Sequence, residues 1–296
     1  MKRILITGGS GLVGKAITAH LTNNGYEVAW LSRKAKKQKQ RSFSWNVEEG
    51  KLDENALAWC DGIIHLAGAG VAEKRWTEER KKEILASRTK SSRLLFDYLS
   101  RQSRRPECFI SASAVGYYGF DTGGEWVNEE SPQGTDFLAQ VVLLWEEEVL
   151  KIQSLGIRTV LLRIGTVLDK KGGALKEMLK PPVAAPLGSG NQYMSWIHLN
   201  DLAAMFNFAL SQPIMGIYNA VAPHPVSNKQ LTQIAAKEKG KPYLPIPVPR
   251  FVLKGMLGEM ADMVTGGSRV SSTKIENEGF VYQFPFVKEA LKDIYK

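Results

Sequence analysis

Residues 3–21 read RILITGGSGLVGKAITAHL, and the order of residue types within this stretch decides the fold. An apolar run through Ile4, Leu5 and Ile6 stops at glycines, after which Leu12, Ala16, Ile17 and Leu21 recur at the spacing of one helix face: strand, turn, helix. Gly8, Gly11 and Gly14 follow G-x-x-G-x-x-G, while Gly9, Gly11 and Gly14 also satisfy G-x-G-x-x-G. Such spacing permits a tight turn, a close backbone approach to a pyrophosphate, and a helix packed hard on its strand. Around Ser10, Leu12 and Val13, backbone N–H groups at the helix start would face the phosphates. Between a strand and a helix the pattern predicts a dinucleotide-binding turn; elsewhere it would be a structural turn and no more.

The next strand, EVAWLSR at 27–33, ends where an NAD site would place an acid for the ribose 2′-hydroxyl. Ser32 and Arg33 stand there instead, with Lys34 following, so NADP is the expected cofactor: a hydroxyl, a guanidinium fork and a further charge suit a 2′-phosphate. Further on, DGIIHLAGAG at 61–70 is a second strand leading to small residues. Ile63, Ile64 and Leu66 bury there, while Ala67, Gly68 and Ala69 leave room for the adenine-ribose side of the cofactor. A long helix at 77–101, a strand with its loop at 107–119 and another strand at 157–168 continue the alternation. That order builds an α/β fold around a doubly wound parallel sheet of the Rossmann type.

At 296 residues, 44% of them apolar, the chain can bury one large core or two unequal ones. Its two cysteines, Cys60 and Cys108, lie in or beside apolar stretches and read as reduced core thiols. The glycines come too soon after the N-terminus for a signal peptide, so a cytoplasmic, reducing location is expected, with no membrane contact. The net charge of +9 owes much to RKAKKQKQR at 33–41, which holds six basic residues and no acid. A solvated loop is the plain reading of that stretch, and with no aromatic interleaving or nucleic-acid motif, no nucleic-acid partner is expected.

TGGSGLVG at 7–14, HLAG after the fourth strand and SASAVGYYG after the fifth resemble the extended short-chain dehydrogenase/reductase superfamily. More narrowly, the chain is similar to its atypical, epimerase-like branch, in SASAVGYYG, in DFLAQV followed by WE, in GSGNQYMSWIHLNDL at 188–202 and in GFVYQFP at 279–285. The likeness spans nearly the whole chain. His65 departs from the expected Asn and Ser268 from the more usual Gln. Most of the superfamily carries Tyr-x-x-x-Lys on the helix after the fifth strand, and here those positions match Phe137 and Val141. With Trp145 these form one apolar helix stripe, a wall that can move no proton. By the resemblance, the branch shares this substitution, and Ser113 matches the superfamily's active-site serine. Tyr117 or Tyr118 either replaces the lost donor or packs beneath cofactor and substrate. The resemblance also puts Glu83 and Arg88 along the cofactor groove, with Ile164, Gly165 and Thr166 closing its nicotinamide end.

After residue 167, glycine- and proline-rich segments interrupt the alternation. The expected organisation is a cofactor core over 1–166, to which 197–220 returns, and a substrate lobe from 167–196 and 221–296. Gln192, Tyr193 and Trp196 are candidates to face the substrate, an unidentified small molecule; Asn200 or Asp201 is expected to cap the helix that follows His198. The histidines, at 20, 65, 198 and 224, form no metal-ligand spacing, and no metal is expected. Two functions remain open: an NADP-dependent oxidoreductase or epimerase with a non-standard site, and a non-catalytic NADP-binding redox sensor. Nothing in the sequence fixes the oligomeric state.

Overall fold

The computed structural model describes residues 2–35 and 40–296. Lys36, Lys37, Gln38 and Lys39, the middle of the basic stretch read as a solvated loop, lie outside the described residues.

β1 (Arg3–Thr7) is the hinge of the topology. From it the chain runs through α1 (Leu12–Asn23), β2 (Glu27–Ser32), β3 (Ser42–Asn46) and β4 (Lys51–Leu52) towards one edge. It then reverses through α2 (Asn55–Trp59), β5 (Gly62–His65), α3 (Glu78–Ser100) and β6 (Cys108–Ala114) towards the other. Beyond β7 (Trp126–Val127), α4 (Phe137–Leu150) leads to β8 (Arg158–Ile164). The eight-stranded sheet has the order β12-β8-β6-β5-β1-β2-β3-β4, where β12 is Gly216–Ala220; all its pairs are parallel except β3 with β4. Winding reverses between β1 and β5, so the glycine turn after β1 lies at the switch point, where sheets of this kind bind ligands. Parallel strands covered on both faces are buried and mostly apolar along their length, as β1 beyond Arg3, β5 and β6 as far as Ser113 are, with Thr7, His65, Ser111 and Ser113 as the buried polar exceptions.

Between β8 and β12 the chain leaves the sheet through β9 (Thr166–Leu168), α5 (Gly173–Met178), β10 (Tyr193–Met194), β11 (Trp196–His198) and α6 (Leu199–Ser211). β9 and β11 pair in parallel, and α6 returns to pack on α1 while α3 packs on α4. After β12 come β13 (Val226–Ser227), α7 (Asn228–Glu238), α8 (Arg250–Leu257), α9 (Met260–Thr265), β14 (Arg269–Val270), α10 (Thr273–Asn277) and α11 (Val287–Ile294). β14 pairs with β7, and β13 with β10. A second core, distinct from the one on the sheet, gathers Leu168, Trp196, Leu231, Phe284 and Leu291.

The cap of α6 differs from expectation. His198 itself is the N-cap, its Nδ1 accepting from Asn200 N at 3.1 Å. Asp201 turns instead to the C-terminal segment, where its carboxylate accepts from Gln283 N and Phe284 N, each at 2.9 Å. Its charge is more useful there, because those two amides, one part-buried and one buried, have no helix to satisfy them.

Candidate functional site

The turn after β1 is built by contacts that only glycine permits. Gly8 has φ of +69°, and a Cβ on Gly14 would lie 2.5 Å from Gly8 O and 2.6 Å from Gly9 Cα. The first turn of α1 therefore rides directly on the loop. Behind it, Thr7 Oγ1 accepts from Leu66 N at 3.0 Å and Ala67 N at 3.1 Å, which ties the glycine turn to the small-residue turn after β5. With both lone pairs engaged, the Thr7 hydroxyl donates its proton to His65 Nδ1, 2.8 Å away. The imidazole proton then sits on Nε2, 3.3 Å from the hydroxyls of Ser91 and Ser92. Burial pushes the His65 imidazole down to about 3, so it is neutral, and this relay gives His a role in place of the Asn expected there.

In front of the turn lies a cavity of about 500 Å³. Of the residues singled out by sequence, Gly8, Ser10, Gly11, Ser32, Arg33, Leu66, Ala67, Gly68 and Glu83 line it together. Leu12, Val13, Gly14, Lys34, Arg88, Ile164 and Thr166 do not. Gly14 acts instead through packing, and Thr166 through its N–H, which donates to Ser195 O at 2.8 Å. The end of β3 supplies part of the lining that sequence reading missed: Trp45, Asn46, Val47 and Glu48.

Arg88 lies just behind this lining. Its Nη1 donates to Ala69 O at 3.1 Å and Ile84 O at 3.0 Å, and its guanidinium stands 5.2 Å from the Trp145 ring centroid. Among the described residues no carboxylate pairs with it, and burial lowers it to about 10, with Arg80 adding repulsion. Glu83 is engaged differently, meeting Arg80 at 2.7 Å, and Arg80 also reaches Glu73 at 3.3 Å and the Gly70 carbonyl. The donor set fits a dinucleotide phosphate: a backbone turn open at Gly11, no acid at the end of β2, and a buried cation lacking an anion.

The second half of the site is closed. Phe137 meets the Trp76 ring edge-on at 5.2 Å between centroids, and Val141 is buried in a cluster with Trp76, Ile84 and Met260. α4 starts where Asp136 caps it, accepting from Ala139 N at 3.1 Å while holding Phe120 N at 2.7 Å. One helix turn beyond Val141 the chemistry changes. Glu146 is 3% exposed and Arg163 2%, and they pair through two bonds, Nε to Oε1 at 2.9 Å and Nη2 to Oε2 at 2.8 Å. Ser113, the register partner of Arg163, donates its hydroxyl to Glu146 Oε1 at 2.5 Å. Arg163 Nη1 donates to Tyr118 Oη at 3.1 Å, and that hydroxyl donates to Asn219 Oδ1 at 2.7 Å. Asn219 Nδ2 continues to Ser271 O at 3.0 Å. Tyr117, half-buried, lays its ring against the guanidinium, 3.4 Å from centroid to Cζ.

Burial alone would lower the Arg163 guanidinium, but the hydrogen bonds and charge of Glu146 outweigh it and hold Arg163 well above its ordinary value. Burial pushes the Tyr118 phenol up to about 12 against the pull of the same cation. Ser113 and Tyr118 thus spend their protons inside this network. Glu146 and Arg163 were missed by sequence reading, although a lone arginine inside the apolar strand TVLLRI signals a buried cation that needs a partner.

Two substrate candidates are corrected. Trp196 is wholly buried in the second core, its indole N–H donating to His224 O at 3.0 Å, so it has no face to offer a ligand. The Gln192 side chain is 8% exposed, and its amide donates to Leu187 O at 2.9 Å and Val264 O at 3.1 Å, bracing the lobe backbone. Tyr193 remains half-buried beneath Arg269, whose Cζ is 5.0 Å from its ring centroid.

Comparison with known proteins agrees with this fold. Residues 4–220 match the NAD dependent epimerase/dehydratase family, and residues 248–294 match a domain of unknown function, DUF1731. The epimerase family protein YfhF of Bacillus subtilis is 36% identical over 297 residues, covering 98% of this chain and 97% of that one. The mouse epimerase family protein SDR39U1 is 34% identical over 300 residues, 99% of each chain. A crystal structure of the human protein SDR39U1 (isoform 2) with NADPH superposes with a TM-score of 0.88 at 31% identity, covering 99% of each chain. The matched stretch contains the glycine turn, the cavity and the Glu146–Arg163 pair alike. On the strength of that stretch and of relatives similar from end to end, the chain belongs to the NAD-dependent epimerase/dehydratase family.

Proposed function

We propose that the protein binds NADP(H) in the cavity at the glycine turn and presents it to a small molecule held by the C-terminal lobe, as an oxidoreductase or epimerase without the usual tyrosine and lysine. The observation that carries this reading is the pairing of a β2 end without an acid, Ser32 and Arg33, with the unpaired buried cation Arg88 behind the same cavity. The NADPH held by the human relative supports the choice of cofactor. When bound, the cofactor supplies a hydride donor or acceptor. The turn amides hold its diphosphate, Arg33 meets the 2′-phosphate, and Phe137 and Val141 exclude water. Of the loop tyrosines, Tyr117 is the better proton donor, because the Tyr118 hydroxyl is committed to Asn219.

A second reading has its own observation. The hydroxyls of Ser113 and Tyr118 are both enclosed in the Glu146–Arg163 network, as befits a redox sensor that binds the cofactor and performs no chemistry. A thermal-shift titration tests both. NADPH is expected to raise Tm more than NADH, and Arg33→Ala to weaken NADPH by about tenfold or more while sparing NADH. Equal shifts with the two cofactors sink the NADP assignment. Binding without turnover over a panel of carbonyls and nucleotide sugars, read at the nicotinamide absorbance, selects the sensor. Turnover lost in Tyr117→Phe and kept in Tyr118→Phe selects the enzyme.

A further inference from the structure

Large apolar side chains are exposed unevenly on this molecule. Five of the eleven among the described residues, Leu244, Ile246, Phe251, Val252 and Met256, fall between 244 and 256. A sixth, Val183, is brought alongside by the bridge between Ala184 and Tyr243, with Leu244 N donating to Ala184 O at 2.9 Å. Phe251 is 77% exposed and Met256 68%, so neither serves the core.

Two devices hold this face rigid. Pro245, Pro247 and Pro249 restrict the backbone that carries the exposed Leu244 and Ile246. On α8, residues four apart share a stripe. Leu253 is buried, and Leu257 packs against the cluster of Trp76, Ile84, Val141 and Met260; Val252 and Met256 form an exposed apolar stripe beside Phe251; Arg250 and Lys254 form a cationic one. From 239 to 258 the chain holds Lys239, Lys241, Arg250 and Lys254 and no acid. Of the flanking acids, Glu238 is half-buried beside Lys239, Glu259 pairs with Lys81 at 2.6 Å, and Asp262 pairs with Arg250 at 2.7 Å, so on α8 the cation that no acid meets among the described residues is Lys254.

Apolar side chains flanked by cations on a firm support form the arrangement by which a helix lies in the plane of a lipid headgroup layer. A second copy of this chain would fit less well, because a two-fold contact sets the same cations against each other. We propose that the face formed by residues 244–256 docks on an anionic lipid surface. The segment differs from the basic stretch at 33–41, and no span is involved: no described helix is long and apolar enough to cross a membrane.

Flotation of the full chain tests this, with vesicles of phosphatidylcholine alone and with about one-third phosphatidylglycerol. The chain is expected to float with the anionic vesicles only, and to be released when salt is raised from about 0.1 M to about 0.5 M. The double variant Phe251→Ser, Met256→Ser and the single variant Lys254→Glu are each expected to weaken binding by about tenfold or more. Their Tm and circular dichroism should be unchanged, because the altered side chains lie at the surface. A variant with Lys36, Lys37 and Lys39 changed to Gln is expected to bind as before. The proposal is overturned if both vesicle types bind equally or neither binds, or if the variant at 36, 37 and 39 loses binding while the Phe251 and Met256 variant keeps it. It is also overturned if the chain dimerises through this face, so that self-association disappears in the Phe251 and Met256 variant.

Discussion

The glycine turn at residues 8–14 and the α4 stripe at 137–145 belong to βα units of one sheet, yet they are built in opposite ways. The turn works by leaving out side chains, so that amides and a cavity are presented to an anion. The stripe works by adding them, so that Phe137 and Val141, the positions that the sequence resemblance matches to a tyrosine and a lysine, close against Trp76 and Met260. Below the stripe, Glu146 and Arg163 are already paired with each other. A binding half and a chemical half can therefore diverge within a single fold, because the first depends on backbone shape and the second on a few ionisable side chains.

The contrast can be broken most forcibly at the buried pair. Glu146→Ala strands Arg163 at 2% exposure and is expected to lower the unfolding free energy by about 3–5 kcal/mol in urea titrations. A loss below about 1 kcal/mol would mean that water reaches the guanidinium.

Acid attacks the other half through His65. Its folded value of about 3 lies below the ordinary 6.5, so the unfolded chain takes up a proton that the folded chain refuses. The stability it contributes is intact above pH 6.5 and is lost as pH falls from there towards 3, by roughly 2–3 kcal/mol at a pH near 4.5. His65→Asn should flatten that portion of a stability-against-pH curve; an unchanged slope would assign the acid sensitivity elsewhere.

Gly14→Ala sharpens the claim that the turn is shaped by absence. Its Cβ would fall 2.5 Å from a backbone oxygen that cannot move aside, so a loss of about 1–3 kcal/mol is expected together with failure to bind NADPH in a thermal-shift assay. Tyr118→Phe is the mildest probe. It removes one buried hydroxyl, costing about 1 kcal/mol by denaturant melting, and should leave cofactor affinity alone.

The glycine turn and the alternation of strands and helices were legible in the sequence because each rests on local rules, namely φ freedom, N–H presentation and apolar periodicity. So was the apolar stripe, whose residues face one way at any helical spacing. What escaped was settled by distant partners. Arg163 and Glu146 lie in separate apolar runs, and only the register of β6 with β8 and the packing of α4 bring them together. Trp196 looked like a ligand platform beside glycines, yet its N–H had a carbonyl waiting at His224. His198 displaced its neighbours as helix cap because Asp201 was needed by two amides more than eighty residues away. Asn46 and its neighbours, on a short strand, gave no pattern long enough to read.

Asn219 takes its last side-chain partner from the Ser271 carbonyl, and Val221 O receives the Tyr282 hydroxyl. The sheet therefore cannot be excised cleanly from its tail. A fragment stopping at β12 would carry every strand of the eight-stranded sheet and the whole glycine turn, but would leave polar groups facing emptiness in its interior. On a ribosome, the same wiring makes the final quarter of the polypeptide the part that locks the earlier three.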